Sequence, residues 1–154
     1  MVTPESLAGE SEHSHQVALM AWAAANRGND RRLHLLFAIP NGGERNKIVA
    51  SRMKAEGVRS GVPDLFLPVV GQKWSKPDYG ITWYHGLFIE MKKPAAQYKR
   101  KAAKDKWDTG GVSEEQKIWL NMLEQQGYKC VVCYHWYQAA SEIKFYLTGS
   151  GLDE

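Results

Sequence analysis

Three charged residues stand where strand cores are expected. Asp64 opens the apolar run DLFLPVV, and Glu90 and Lys92 close the run GLFIEMK. Side chains alternate faces along a strand, so Glu90 and Lys92 point one way while Ile89 and Met91 point the other. If Asp64 lies beside that face, its carboxylate meets that of Glu90, and like charges at ~4 Å repel by about 4 kcal/mol at an effective dielectric near 20. Lys92 offsets part of this. A hard divalent cation offsets it better, because Mg²⁺ takes one or two carboxylates plus water and substrate phosphate, and the Met91 carbonyl is a further oxygen. Such a cation polarises a phosphate and acidifies bound water, while a neighbouring ammonium orients that water and stabilises charge on phosphorus. Phosphodiester hydrolysis is the chemistry this set fits. The plainer alternative is a salt bridge at a strand end, since Asp followed at a distance by Glu-x-Lys is common by chance.

The elements that must position these residues are legible in outline. Ser11 is an N-cap signal for a helix over about 12–26, with His13, Val17, Met20 and Ala24 at helical spacing. LHLLFAIP, residues 33–40, reads as a strand stopped by proline, and Asn41-Gly42-Gly43 as a turn. A second helix over about 46–56 ends at Gly57; DLFLPVV is a buried strand, GQKWSKPDYGITWY a hairpin-like excursion, and GLFIEMK the next strand. Ser113-Glu114-Glu115-Gln116 matches a capping box opening a helix whose apolar stripe is Ile118, Trp119, Met122 and Leu123. After Gly127 come the strand YKCVVCYH and a helix over about 136–147. The order α-β-α-β-β-α-β-α in one domain follows, with flexible residues at 1–10 and 149–154.

Composition sets the bounds. The chain has 154 residues, 44% apolar, 11% aromatic and 24% charged, a size that buries a core without staples. No apolar run is long enough to span a bilayer, so no membrane association is expected. Without a basic n-region leading into an apolar stretch at the N-terminus, a cytoplasmic location is the default, and Cys130 and Cys133 are expected to stay reduced. The net charge of +3 says little by itself, but residues 92–106 contain Lys92, Lys93, Lys99, Arg100, Lys101, Lys104 and Lys106 against Asp105, a local field that attracts phosphate. A solvated basic helix or loop is the alternative.

Several ordered motifs together carry a family resemblance. Gly61-Val62-Pro63-Asp64-Leu65-Phe66-Leu67-Pro68, then Gly86-Leu87-Phe88-Ile89-Glu90-Met91-Lys92, then Ser113 with Gln116, resemble the VRR-NUC family of the PD-(D/E)xK nuclease superfamily. Ser11-Glu12-His13-x-x-Gln16, Ile39-Pro40-Asn41-Gly42-Gly43, and the closing Gly127-Tyr128 strand with Ala139-Ala140 before Tyr146-Leu147 are similar to short, stand-alone members from phages and bacteria. The resemblance implies an α/β, restriction-endonuclease-like core in which helices flank a central mixed β-sheet, placed at residues 11–148 with a basic insertion at about 93–111. It also implies Asp64 and Glu90 as metal ligands, Lys92 as the catalytic lysine, Glu12 near the metal or its water, and Gln116 orienting the site. The expected activity is Mg²⁺- or Mn²⁺-dependent cleavage of DNA, with branched or Holliday-junction-like substrates and a homodimer inferred by analogy. The rivals are a DNA-binding or accessory module that no longer cuts, and a flap-type nuclease.

Other signals are double-edged. Glu12 also suits a helix first turn whatever the protein does, and a capping box alone explains Gln116. Asn41, Arg45 and Lys47 lie on a loop entering a helix that can present N–H groups to phosphate, Arg52 extends this surface, and Lys93, Lys99, Arg100, Lys101 and Lys104 of the basic stretch are further candidate DNA contacts. Trp74, Trp83 and Tyr84 either stack on an opened base or pack an interface. Cys130 and Cys133, three apart on a strand, face opposite sides and read as structural. His13 and His15 lack the spacing of a His-Glu-x-x-His site.

Overall fold

The computed structural model describes residues 2–41, 46–73, 82–99 and 104–151. Where a flexible start is expected, Thr3 caps a single turn, α1 (Pro4–Leu7), with a reciprocal Thr3–Ser6 capping box. Helix α2 (Glu12–Asn26) begins at the predicted cap, the Ser11 hydroxyl accepting from the Ser14 N–H at 3.0 Å. Its Ala18, Leu19 and Ala23 are fully buried.

The predicted strand over residues 33–40 is mostly not a strand. A 3₁₀ turn occupies Arg31–Leu35, and only Phe37–Ala38 form β1. Asp30 accounts for this, since its carboxylate accepts from the Arg32 backbone N–H at 3.0 Å and pairs with the Arg32 guanidinium, tightening the chain into a turn. Leu33 and Leu36, three apart, then bury together as the three-residue repeat of that helix dictates.

Helix α3 (Lys47–Ala55) is capped by Asn46 and leads into β2 (Leu65–Leu67). The excursion forms β3 (Gly71–Lys73) and β4 (Thr82–Tyr84), an antiparallel pair separate from the main sheet. Then follow β5 (Leu87–Met91), α4 (Glu114–Gln125), β6 (Lys129–Cys133) and α5 (Trp136–Thr148). The main sheet runs β1-β2-β5-β6, antiparallel until the last pair, which is parallel. It is therefore mixed, as the fold expectation requires.

Alternation divides the core by face. Leu65, Leu67, Leu87, Ile89, Met91, Val131 and Cys133 pack with α2 and α5, whereas Phe88, Cys130, Leu120 and Trp107 cluster on the other face. The two cysteines thus fall on opposite sides, as free thiols, and burial pushes that of Cys130 up to about 12. Trp107 belongs to this packing and donates its indole N–H to Asn121.

The apolar stripe predicted on α4 is out of phase. Ile118 and Met122 are 58% and 59% exposed, while Leu120 is fully buried. The inward face runs through Gln116, Leu120 and Leu123, at i, i+4 and i+7. A polar residue is tolerable on that face because Gln116 has a buried partner, described next.

Candidate active site

Strand register brings the acids together. Leu65 opposes Ile89 and Phe66 opposes Phe88, so the register continued by one residue sets Asp64 opposite Glu90 on the same face. The stacked Phe66 and Phe88 rings, 4.2 Å apart, floor that face. The Asp64 carboxylate accepts from the Met91 backbone N–H at 2.7 Å. Glu90 is 1% exposed and Lys92 8%, and the Lys92 ammonium lies 2.8 Å from Glu90 Oε1. Gln116 Nε2 donates to the same oxygen at 2.6 Å, while its own Oε1 accepts from the Ser113 N–H at 2.9 Å. Gln116 therefore both caps α4 and holds Glu90. The other carboxylate oxygen, Glu90 Oε2, is buried without a hydrogen-bond partner.

The electrostatics show a shortage of positive charge. Burial, reinforced by Asp64, pushes Glu90 up to about 8 despite Lys92. Burial also raises Asp64 above the usual carboxylate range, against the Met91 N–H, Lys92 and Asn41. Glu12, at the start of α2, is raised by burial and by Asp64, with Lys92 and Lys93 opposing. Glu12, Asp64 and Glu90 all interact with Lys92, so full ionisation would leave three negative charges against one buried positive charge. Among the described residues no three His, Cys, Asp or Glu side chains close on one point as a finished metal cage. The cluster is an open, oxygen-only site, which suits a hard cation that keeps several waters. The unpartnered Glu90 oxygen and the excess of carboxylates both fit that requirement.

Two supports were not visible as such in the sequence. Asn41, expected to touch DNA, lies near enough to Asp64 to favour its ionised carboxylate and donates to the Val62 carbonyl. The reason is topological, since the Ile39 N–H donates to the Asp64 carbonyl and carries the chain beyond β1 past the aspartate. The second support is Thr109-Gly110-Gly111. A Cβ on Gly110 would fall 1.5 Å from the Ala96 carbonyl oxygen, and Gly111, at φ +81°, lies against the Lys92 stem. Tyr134 fixes the turn by donating its hydroxyl to the Gly110 carbonyl at 2.9 Å. The adjacent glycines 110 and 111 are the signal the sequence offers for this close approach.

The remaining basic candidates are scattered. Lys47 is exposed at the start of α3, and Arg52 pairs with Glu56 at 3.0 Å. Lys93, Lys99 and Lys104 are exposed, whereas Lys106 pairs with Glu124. Arg45, Arg100, Lys101 and Trp74 lie outside the described residues. The end of the basic insertion is anchored, because Asp108 accepts from the Lys104 and Asp105 N–H groups and pairs with Lys117. Trp83 is exposed, but Tyr84 packs near Tyr146 with Lys73 over its ring. His15 is structural, its Nδ1 accepting from the Trp136 N–H at 3.1 Å.

The mixed sheet flanked by helices is a restriction-endonuclease-like fold, the architecture of a family of nuclease domains. Residues 10–136 match the VRR-NUC domain family, and the chain belongs to that family. Among solved structures it is similar to a VRR_NUC domain protein, with 24% identity and a TM-score of 0.59 over 94% of this chain and 93% of the other. No functionally curated protein matches the sequence.

Proposed function

We propose that the chain is a Mg²⁺- or Mn²⁺-dependent endodeoxyribonuclease that hydrolyses phosphodiesters of branched DNA, Holliday-junction-like substrates foremost. The observation that carries this reading is the buried, unpartnered Oε2 of Glu90 among three carboxylates that share Lys92 as their one buried cation among the described residues. Asp64, Glu90 and the Met91 carbonyl would hold the cation, with Glu12 beside it or its water. When bound, the cation supplies Lewis-acid charge to the scissile phosphate and makes water a better nucleophile.

The chain's own residues do the rest. Asn41 and the Met91 N–H fix Asp64, and Gln116 and Lys92 hold Glu90 through Oε1, leaving Oε2 as the free ligand atom. The Lys92 ammonium orients water and stabilises charge developing on the phosphate as the water oxygen bonds to phosphorus and the opposite P–O bond breaks. The products are a phosphate monoester end and a hydroxyl end. Lys93, Lys99, Lys104 and Lys47, all exposed, support backbone binding.

A four-way junction offers two symmetric strands to a two-fold dimer, and Ile48 and Val49, 77% and 45% exposed on α3, favour a second copy as partner. No helix among the described residues is long and apolar enough to cross a membrane, and a cytoplasmic site of action accords with a DNA substrate. The test is incubation with labelled four-way junction, flap, duplex and single-stranded DNA in Mg²⁺, Mn²⁺ or EDTA. Paired symmetric nicks that vanish in EDTA are expected. Preferential flap cutting would replace the substrate, and binding without cutting under every metal would replace the activity with a DNA-binding role.

A further inference from the structure

A cleft of about 920 Å³ opens past the ends of β5 and β6, lined among others by Glu5, Glu10, Lys93, Pro94, His135 and Tyr137. Its size falls within the range of small-ligand sites. Its place follows from the topology. β5 and β6 are parallel, and the cleft is lined by the residues that follow each of them, Lys93 after Met91 and His135 after Cys133. The crevice outside the carboxyl ends of parallel strands is where α/β folds commonly bind ligands. Cleft and catalytic face share two chain segments: Lys92 pairs with Glu90 while Lys93 lines the cleft, and Glu12 interacts with Lys92 while Glu10 lines the cleft.

The chemistry of the walls narrows the occupant. His135 occupies the N-cap of α5 but makes no side-chain cap bond; its ring instead stacks on Tyr137, 4.8 Å away and 13° from parallel. On the other side the buried His15 ring meets His135 edge-on at 5.4 Å, which braces the stack. Tyr137 is 48% exposed, so the end of this aromatic stack is open to a further ring. Glu5 and Glu10, both exposed, disfavour a phosphate inside the cleft but accept hydrogen bonds from a ring or an exocyclic N–H, at least one of which every DNA base carries. Lys93 is the cation available to the attached backbone.

We infer that this cleft takes an unpaired nucleobase next to the scissile phosphate, stacked on Tyr137. The inference rests on the nuclease reading above and gives it a specificity device, because only DNA with an unstacked nucleotide beside the cut can fill the cleft. Base–aromatic stacking is sequence-tolerant, so the selection is for structure and not for sequence.

The experiment uses the full chain in EDTA with two DNAs, a duplex bearing a short single-stranded branch with 2-aminopurine at its first unpaired position and a fully paired duplex with the same label. Wild type should quench the fluorescence of the branch and not of the duplex. Tyr137→Ala should abolish the quench and weaken branched-DNA binding about tenfold, leaving duplex binding within about twofold, while Tyr137→Phe should retain both. Quenching that persists in Tyr137→Ala, or equal weakening on both DNAs, overturns the proposal. Parallel cleavage in Mn²⁺ separates the two readings. Wild type that cuts without quenching overturns the cleft and keeps the nuclease; wild type that quenches without cutting overturns the nuclease and keeps the cleft as a nucleobase site.

Discussion

A carboxylate buried at 1% exposure, with one oxygen paired and the other empty, is costly to keep ionised without a cation. Glu90 is held up to about 8 when folded, far above an unfolded glutamate near 4.5. The folded state thus binds the proton more tightly than the unfolded one. Its contribution to metal-free stability is fully present below about pH 4.5 and is lost as pH rises through about 8. Melting temperature in EDTA should fall across that window, and Glu90→Gln should flatten the fall; an unchanged slope in the variant would remove Glu90 as its source. Lys92→Ala should reduce cleavage by at least about a hundredfold while DNA binding stays largely intact, and wild-type rates would remove its catalytic role. The types and spacing of Asp64, Glu90 and Lys92 singled them out as candidates, their roles were implied by the family resemblance, and the strand register brings them together. Gln116 was ambiguous because one amide serves the cap and the acid at once, and the link from Asn41 to Asp64 depends on a contact between distant strands that no local pattern encodes.

At the scale of elements, periodicity located the helices better than it oriented them. α2 and α5 appear close to their predicted ranges, but the α4 stripe was misphased because a hydrophobic count excludes Gln116 from the buried face it occupies. The observed phase has a direct test in urea melts. Leu120→Ala should cost about 2–5 kcal/mol, whereas Ile118→Ala should stay within about 0.5 kcal/mol. Equal losses would contradict the described face. The 33–40 segment misled for a different reason, since its apolar run is compatible with strand or 3₁₀ turn and the Asp30–Arg32 bracket decides between them. Gly110→Ala should destabilise the protein by about 1–3 kcal/mol, because its Cβ has no room beside the Ala96 carbonyl. Chemical denaturation would read the loss, and a neutral effect would free the glycine turn from its role in seating Lys92.

For the whole molecule, a mixed sheet divides the labour between two faces. One carries the larger apolar core under α2 and α5; the other carries a smaller core that ends in Glu90 and Lys92. Membership of the VRR-NUC family implies a nuclease, and the buried Glu90–Lys92 pair is where the proposed reaction is located. The basic surface was harder to read from sequence, because a run of lysines does not reveal which of them turn inward, as Lys92 does, or pair, as Lys106 does with Glu124. The central claim is that this acidic cluster is completed by a divalent cation bound through Glu90. Its most direct measurement is a calorimetric titration of Mn²⁺ into metal-free protein at neutral pH, wild type beside Glu90→Gln. Saturable binding to wild type that is lost in the variant is the predicted result; no binding to wild type, or equal affinity in both, would contradict the account.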